Sequence, residues 1–343
     1  MNNKIGMLGI MVANAASKKA VLNSYLRVNP TGLRLFCFTP SDINWEQQRI
    51  NGLHRVNKVW RRRLFHFPQV ILNRCYDLSR SFIHRLESVI GHHKCFNHQN
   101  HLGKLDMHEH LSNGLPSSTP HTLIYNEQNA SELLAAHKVI YMKPNYGNKG
   151  LGVYRAELKD SGEIHIGEHH LKPLIIAADM AQFHEVTDAI IGSTPYIVQQ
   201  GVHIQTLTGR TFDIRILVQK NKTGSWSITS AISRVAFSGC FNTSIFEKMC
   251  VAREALQYLY SPDAAQAQLH TSYMLSLLAA EAIELRSGLH LAEISVDLAI
   301  DEEDHLWIIE VNGMPQKSLY RSFQSYRNAY RRPLEYAAYL YER

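Results

Sequence analysis

The 343-residue sequence predicts an α/β protein with two or three domains. In its first part, short apolar strands alternate with polar or helix-compatible stretches, a rhythm that indicates a largely parallel sheet. The second half combines β-hairpin patterns with one long Leu- and Ala-rich helix. Hydrophobic residues make up 45% of the chain, which is enough for a substantial core and excludes a disordered protein.

The N-terminal unit, residues 1–95, is predicted to be one α/β domain. Its strands are expected at Ile5–Val12, Leu33–Thr39 and Val70–Asn73. The stretch 97–115 that follows is polar and helix-compatible. It ends in Asn-Gly and Pro, which predict a helix stop and an extended linker.

The second unit, residues 96–200, is predicted to contain a helix, a strand and a glycine-rich loop in close succession. The helix is expected at Ala130–Ala136 and the strand at Val139–Lys143, with the loop directly after the strand. A further strand, Tyr196–Gln199, closes this unit.

The third unit, residues 201–343, is predicted to be β-rich around one long helix. Ser261, before Pro262, is a strong helix start and Gly288 a stop, so the helix should have about seven turns. The C-terminal Tyr- and Arg-rich segment is expected to be helical and broken at Pro333. The predicted strands are Thr211–Gln219, Trp226–Val235, Ile294–Ile300 and Leu306–Val311.

Charge and cysteine content narrow the class of protein only in part. The formal net charge of +6 is spread along the chain and fits nucleic acid, anionic lipid or a phosphorylated substrate. The five cysteines include no C-x-x-C pair, which argues against a disulfide framework or a cysteine-based zinc site and fits a reducing cytoplasm. No apolar run approaches the ~20 residues that cross a bilayer.

A lysine at the end of a predicted strand precedes a loop with three glycines, K-P-N-Y-G-N-K-G-L-G from Lys143 to Gly152. Backbone N–H groups of such a loop can approach a phosphate closely, and the ammonium group neutralises its charge. The glycine spacing matches neither a Walker A loop nor a dinucleotide-binding fingerprint. The segment predicts a phosphate site, with a tight β-turn as the alternative.

Two carboxylates, Asp297 and Glu310, lie on adjacent predicted strands, and Asn312 follows two residues further along the same face. Proteins bind Mg²⁺ through one or two carboxylates together with phosphate oxygens. The pattern therefore predicts a magnesium site, and a pair of solvated acids at a sheet edge is the alternative.

Asp213 and Arg215 are predicted to share one face of a strand. An arginine beside a phosphate site can stabilise a transferring phosphoryl group or bind a substrate carboxylate, and a structural Asp–Arg ion pair is the alternative. The segment Gln199–Val202 ends an apolar strand in two amides and a glycine. Its backbone groups could recognise an adenine edge between two lobes.

In chain order, these segments are K-P-x-x-G-x-x-G-x-G, a strand ending in amides, D-I-R, and D-x(12)-E-V-N. This order resembles the ATP-grasp superfamily over roughly residues 97–316. It is most similar to the YheC/YheD family of endospore coat-associated ATP-grasp proteins, on I-L-N-R at 71–74, F-N-H at 96–98 and W-I-I-E-V-N-G-M-P at 307–315. The resemblance implies an α/β (α+β) fold with an N-terminal pre-ATP-grasp domain and a nucleotide bound between central and C-terminal lobes.

The resemblance also implies a role for each matching residue. The ATP-binding residues would be Lys104, Lys143, Gly147, Asn148, Gly150, Gly152, Gln199, Gln200, Gly201 and Val202. Two Mg²⁺ ions would be held by Asp297, Glu310 and Asn312. Arg215 would face the γ-phosphate, Lys143 and Arg234 would complete the catalytic set, and Asn242 would contact triphosphate or substrate.

The activity that the resemblance implies is ligation, in which a small-molecule or peptide carboxylate is activated as its acyl-phosphate and attacked by an amine. The alternative is an ATP-binding coat-associated or scaffold protein with little catalysis. The family implies a cytoplasmic protein with an association with the spore coat.

Two departures from the family pattern affect this implied site. His203 and Gln205 stand near the place of a ribose-binding acid. No arginine stands close before Asp297, so Arg215 is expected to take its role.

Two other features have structural explanations. Six histidines lie between residues 92 and 110, but only His108 and His110 are compactly spaced. Residues i and i+2 of a helix do not share a face, which argues against a metal site there. Trp60 beside the basic run Arg61–Arg63 could bind nucleic acid, but a basic surface helix is the favoured interpretation. Nucleic acid is therefore not an expected partner.

Overall fold

The computed structural model describes residues 6–76, 78–147 and 149–343. These residues form three β-sheets that follow one another along the chain, each packed against helices. The mixed α/β class predicted from the sequence is confirmed.

The first sheet has parallel strands at its centre and an antiparallel extension at one side. Its strands are β1 (Met7–Val12), β2 (Arg34–Phe38), β3 (Ile43–Asn44), β4 (Arg49–Val56), β5 (Val59–His66), β6 (Val70–Arg74) and β7 (Cys95–Phe96). Its helices are α1 (Lys18–Leu26) and α2 (Arg80–Ile90). Strands β2, β1, β6 and β7 run parallel in that order, as the sequence predicts, whereas β3, β4 and β5 pair antiparallel. Ile5, where the first strand was expected to begin, lies outside the described residues.

The basic run Arg61–Arg63 lies in β5, so the prediction of a surface helix there is wrong. Within the described ranges β5 pairs with β4 alone, and it is exposed on both faces along most of its length. A strand that buries neither face lacks the alternation of apolar and polar residues by which strands are identified.

The second sheet is antiparallel throughout. Its strands are β8 (Thr122–Ile124), β9 (Val139–Pro144), β10 (Tyr154–Leu158), β11 (Ile164–Glu168), β12 (Ile175–Ala177) and β13 (Tyr196–Gln200). The helices of this region are α3 (Lys104–Ser112), α4 (Glu127–His137) and α5 (Met180–Ile191). The strand order is β12-β11-β10-β9-β13-β8, so β9, which precedes the glycine-rich loop, lies inside the sheet beside β13.

The third sheet contains the predicted hairpins. Its strands are β14 (Thr206–Leu207), β15 (Arg210–Lys220), β16 (Trp226–Ala236), β17 (Phe246–Val251), β18 (Glu293–Ile300) and β19 (Leu306–Asn312). Its helices are α6 (Ala252–Leu256), α7 (Pro262–Ser287) and α8 (Tyr326–Glu342). The order β17-β16-β15-β18-β19 places the two hairpins side by side. Helix α7 has the predicted limits, because the Ser261 side chain accepts a hydrogen bond from Ala264 N–H and Gly288 adopts φ +64°.

Helix α8 continues through Pro333, so the predicted break is wrong. A proline inside a helix frees the carbonyl four residues earlier, here that of Ala329. The Gln219 side chain on β15 donates a hydrogen bond to this carbonyl at 3.0 Å. The bond from outside the helix satisfies the group that Pro333 leaves free.

Two helices connect neighbouring sheets. The C-terminal helix α8 packs with α1 on one face of the first sheet through Leu334 and Tyr336, and its first part packs on β15 and β16 of the third sheet through Ala329. Helix α3 packs with α7 of the third sheet through Met107 and Leu111. The domain limits 1–95, 96–200 and 201–343 therefore stay a prediction. Across the described residues, no helix is both long and apolar enough to span a bilayer.

Candidate active site

A cleft with a volume of ≈ 630 Å³ separates the second sheet from the third. Among the predicted site residues, its wall contains Lys104, Lys143, Gly147, Gly150, Gln199, Gln200, Val202, Arg215, Arg234, Asn242, Asp297, Glu310 and Asn312. Gly152 and Gly201 are described by the structure but are not in this wall, and Asn148 lies outside the described residues. The fold thus brings together residues that are up to about two hundred positions apart.

The glycine-rich loop connects β9 to β10 and closely approaches the third sheet. Gly150 has φ +70°, and a side chain there would clash with Oγ of Ser244. Gly152 has φ +68°, and its carbonyl accepts a hydrogen bond at 3.0 Å from the Tyr196 hydroxyl. Glycine is required at both positions because the backbone is left-handed there and a neighbouring side chain occupies the space that a Cβ atom would take.

Two lysines reach the cleft beside this loop. Lys143, at the end of β9, donates a hydrogen bond to Oε1 of Gln199 at 2.6 Å. Lys104, at the start of α3, lies 3.5 Å from Glu310 and also donates to the Gly147 carbonyl at 3.3 Å. Burial lowers the pKa of Lys143 to about 8, an effect that Glu310 opposes and Lys104 reinforces.

In the segment Gln199–Val202, which is predicted to contact adenine, several polar groups already make hydrogen bonds within the protein. The Gln199 amide bridges Lys143 and the Thr122 hydroxyl. The N–H groups of Gln200 and Gly201 donate to the carbonyls of His121 and Val139. Val202, which lies in the cleft wall, is the residue of this segment left as the better candidate for a nucleotide contact.

Two arginines and two aspartates form a buried array on the third sheet. Arg215 binds Asp297 through two hydrogen bonds of 2.6 Å, from Nε and Nη2. Arg234 binds Asp213 and also reaches Oδ2 of Asp297 at 3.0 Å. Burial disfavours the charged form of Asp297, but the two guanidinium groups outweigh it and hold its pKa below the ordinary value. The alternative ion pair between Asp213 and Arg215 is not found among the described residues. Asp213 binds Arg234 on β16 instead, and Arg215 binds Asp297 on β18.

Asp297 and Glu310 are directly opposite each other on β18 and β19, and Asn312 is opposite Ser295. A carboxylate has about four lone-pair sites, and the guanidinium groups occupy three on Asp297, which leaves one on Oδ1. Glu310 is about one-third exposed, and Asn312 would contribute its amide oxygen, since the amide nitrogen is a donor and cannot bind a cation. Two carboxylates, an amide and an open cleft fit Mg²⁺, which shares its coordination with phosphate oxygens.

No three His, Cys, Asp or Glu side chains within the described ranges are placed to hold a metal ion together. A metal at Asp297 and Glu310 would therefore need the amide of Asn312 and a ligand oxygen.

A family model for YheC/D like ATP-grasp proteins matches residues 92–340, which is well over half of the chain. The chain belongs to the YheC/D-like ATP-grasp family. The match includes the glycine-rich loop, the Asp297–Glu310 pair and the cleft wall apart from Arg74 and Tyr76, and it confirms the resemblance and the fold inferred from the sequence.

Two curated relatives from Bacillus subtilis (strain 168) support this assignment. The chain is 26% identical to endospore coat-associated protein YheD, over 90% of the chain and 71% of that protein. It is 21% identical to endospore coat-associated protein YheC, over 90% of the chain and 89% of that protein.

Solved structures share the fold at lower identity. The VanG D-Ala:D-Ser ligase from Enterococcus faecalis is 11% identical with a TM-score of 0.58, covering 98% of this chain and 99% of that one. The N5-carboxyaminoimidazole synthetase from Staphylococcus aureus complexed with ADP is 10% identical with a TM-score of 0.54, covering 94% of this chain and 76% of that one. At these identities the likeness establishes the fold alone.

The structure adds detail to the two departures from the family pattern. The Gln205 side chain is bound to Asp304 at 2.7 Å and to Tyr260, so it does not take the place of a free ribose-binding acid. Strand β18 contains no arginine before Asp297. The guanidinium group that contacts Asp297 comes instead from Arg215 on the neighbouring strand β15.

Sequence reasoning missed Arg74 and Ser295 as residues of the cleft wall. The position of Arg74 at the carboxyl end of a buried parallel strand is the signal that could have found it, because such ends commonly line ligand sites. Ser295 has no comparable signal, since a serine in an apolar strand is common.

Proposed function

We propose that this chain is an ATP- and Mg²⁺-dependent ligase that activates a carboxylate as its acyl-phosphate for attack by an amine. The observation that carries the proposal is that two lysines, Arg215 and the opposed carboxylates Asp297 and Glu310 all face one cleft. The likeness of the fold to a D-Ala:D-Ser ligase and to a synthetase complexed with ADP supports the nucleotide and the class of reaction.

The chain's own residues would supply charge and position. Lys104 and Lys143 would neutralise phosphate charge beside the glycine-rich loop. Arg215 uses Nε and Nη2 for Asp297, and its Nη1 makes no hydrogen bond to the described residues, so it is available for a transferring phosphoryl group. Asp297, Glu310 and Asn312 would hold Mg²⁺, which when bound would withdraw charge from phosphate oxygens.

In the proposed reaction, a carboxylate oxygen forms a bond to the γ-phosphorus while the bond to the β-phosphate oxygen breaks, and ADP leaves. The amine nitrogen then forms a bond to the acyl carbon, inorganic phosphate leaves, and the nitrogen loses a proton to solvent. Binding both partners in one cleft converts these steps into intramolecular events, and the fixed charges need no reorganisation.

The proposal is tested by calorimetry of ATP binding with and without Mg²⁺, followed by phosphate release in a screen of carboxylates with amines. We expect Mg²⁺ to tighten ATP binding to the wild type, and Glu310→Ala to lose most of this gain and all turnover. The control is Glu302→Ala, an exposed acid in the turn between β18 and β19, which should behave as wild type. Equal Mg²⁺-dependent binding and turnover in folded Glu310→Ala would refute the proposal.

The names of the curated relatives favour a second candidate, an ATP-binding coat-associated protein with little catalysis. It predicts Mg²⁺-dependent ATP binding without phosphate release for any carboxylate and amine in the screen. The five cysteines are free thiols, which supports a reducing cytoplasm as the place of synthesis for either candidate.

A further inference from the structure

The cleft continues past the carboxylate pair along β18, toward the first sheet. Side chains alternate along a strand, so Glu293, Ser295 and Asp297 share one face. At about 3.4 Å per residue, Ser295 lies about 7 Å and Glu293 about 14 Å from Asp297 along the strand. The wall at this end includes Ser295 and, from the carboxyl end of β6, Arg74. The proposed nucleotide and metal contacts use neither residue.

Ser295 is a buried polar residue without a partner. It is 1% exposed, and its Oγ makes no hydrogen bond to any residue that the structure describes. Asn312, directly opposite on β19, also has an unpartnered buried nitrogen, Nδ2. Buried polar groups nearly always have hydrogen-bond partners, so two orphaned groups side by side in a cleft wall indicate a ligand that supplies them.

Arg74 has donors to spare at the same place. Its Nη1 donates to the Tyr25 hydroxyl at 3.4 Å and to Oε1 of Glu293 at 3.3 Å. Its Nε and Nη2 make no hydrogen bond to the described part of the chain, and its side chain remains 17% exposed in the cleft. The free edge of a guanidinium group matches a carboxylate, which it binds through two parallel hydrogen bonds.

Among the described residues, the charged side chains around Glu293 carry a positive excess. Glu293 is only 1% exposed and lies 3.3 Å from Arg74 and 2.6 Å from Lys317. One carboxylate therefore faces two cations, which leaves an excess of one positive charge in this group. Asn97 and Gln219 donate further hydrogen bonds to Glu293. Both carboxylate oxygens of Glu293 are therefore fully hydrogen-bonded, and its single negative charge neutralises only one of the two cations. A ligand with a negative group would balance the excess.

We propose that Arg74, the Ser295 hydroxyl and Nδ2 of Asn312, whose Oδ1 stays available for Mg²⁺, bind a second anionic group of the carboxylate substrate, about 7–14 Å from the carboxylate that is activated. The substrate class is then a dicarboxylate or a short peptide whose second anionic group, such as a terminal carboxylate, lies at that distance. The inference rests on the proposed function, since it places the activated carboxylate beside Arg215 and Asp297.

The test measures equilibrium binding of adipate, suberate and sebacate to the full chain by calorimetry, in the absence of nucleotide. Hexanoate, octanoate and decanoate serve as matched acids with one carboxylate. We expect at least one diacid to bind at least about tenfold more tightly than its monoacid, because hydrogen bonds to a charged group carry that difference. Arg74→Met should weaken diacid binding by about 10- to 100-fold and Ser295→Ala by about tenfold, with monoacid binding unchanged.

The control variant is Tyr25→Phe, which removes a fully buried hydroxyl that contacts Arg74 and Lys317 but does not line the cleft. It should bind the diacid as the wild type does. If no diacid binds, if both cleft variants bind normally, or if Tyr25→Phe loses as much affinity as Arg74→Met, the inference is wrong. Should Arg74→Met fail to fold, Ser295→Ala carries the test.

Failure of this inference is distinguishable from failure of the proposed function. ATP binding and its dependence on Glu310 are measured separately. Diacid binding without Mg²⁺-dependent ATP binding would refute the proposed function, and the reverse result would refute only the second anionic subsite.

Discussion

At the scale of single residues, Lys143 illustrates how its surroundings change a common side chain. In the unfolded chain its pKa would be near 10.5, and burial at the end of β9 lowers this to about 8. Its hydrogen bond to Gln199 holds the ammonium group in the cleft wall without adding a compensating charge. The group is therefore close to losing its charge under mildly alkaline conditions, while a phosphate ligand requires the charged form.

We expect the affinity for ATP to fall as the pH rises through about 8, because Lys143 loses its proton there. Stability changes in the opposite direction. The folded pKa lies below the unfolded one, so the unfolded chain binds more protons between about 8 and 10.5, and the free energy of unfolding rises with pH in that range. Calorimetric Kd values for ATP at pH 7 and pH 9 provide the measurement.

The matched variant for this prediction is Lys143→Met, whose ATP affinity should be weaker and should not follow the same decline. The stability profile alone would not identify Lys143, because burial lowers the pKa of Lys317 to about 8 as well. A wild-type affinity that stays constant from pH 7 to pH 9 would contradict the assignment of Lys143 to phosphate.

At the scale of elements, the turn between β9 and β10 combines two separate demands for glycine. Gly150 has a left-handed φ and also lacks room for a side chain next to Ser244. Gly162, in the turn between β10 and β11, has φ +91° but open space around it. The pair separates the effect of backbone strain from that of close approach.

We expect Gly150→Ala to lower the melting temperature and weaken ATP binding, because the new side chain pushes the loop away from the third sheet. Gly162→Ala should cost only the strain of a left-handed residue, roughly 1–2 kcal/mol, and leave ATP binding unchanged. Thermal unfolding and calorimetry measure both effects. Equal behaviour of the two variants would show that the contact with Ser244 is not important.

The elements also show what can be read from a sequence and what cannot. The hairpins β15–β16 and β18–β19 were predictable because apolar and polar residue types alternate along their strands, and this pattern placed Asp297 and Glu310 on adjacent strands. That the two carboxylates lie directly opposite each other is known only from the register in the structure. Strand β5 was not, since it is exposed on both faces. The path of α8 through Pro333 depends on the side chain of Gln219, more than a hundred residues earlier.

The same limit applies to the site. Residue types and spacing identified the lysines, the arginine and the carboxylates. They did not identify which charges pair, because the partners Asp213 and Arg234 meet only through the register of β15 and β16. An orphaned hydroxyl such as that of Ser295 is visible only in three dimensions.

At the scale of the whole molecule, Glu293 connects segments that are far apart in the sequence. Its carboxylate contacts Arg74 from the first sheet, Asn97 after β7, Gln219 on β15 and Lys317 after β19. Burial disfavours its charged form, but Lys317 and Arg74 outweigh this and keep its pKa below the ordinary value. One buried acid thus holds the first and third sheets in a fixed relation around the cleft.

We expect Glu293→Ala to lower the free energy of unfolding by about 3–5 kcal/mol, because removing one partner of a buried ion pair leaves its cations uncompensated. The control is Glu157→Ala, which removes an acid that also has two cationic partners, Arg155 and Lys159, but is 28% exposed. Its cost should not exceed about 1 kcal/mol. Denaturant unfolding provides the comparison, and similar losses in both variants would contradict the role given to Glu293.

The second and third sheets also touch across the cleft. Leu171 N–H donates to the Gly239 carbonyl at 2.7 Å, Phe241 N–H donates to the His169 carbonyl at 2.9 Å, and Gly150 abuts Ser244. Phe241, Gly150 and Ser244 all line the cleft, so these contacts connect its walls. A nucleotide that enters from this side would have to break some of these contacts, which would place its association rate constant below that of an unobstructed encounter. ADP that leaves by the same side would have to break them again, which makes product release a candidate for the rate-limiting step of turnover.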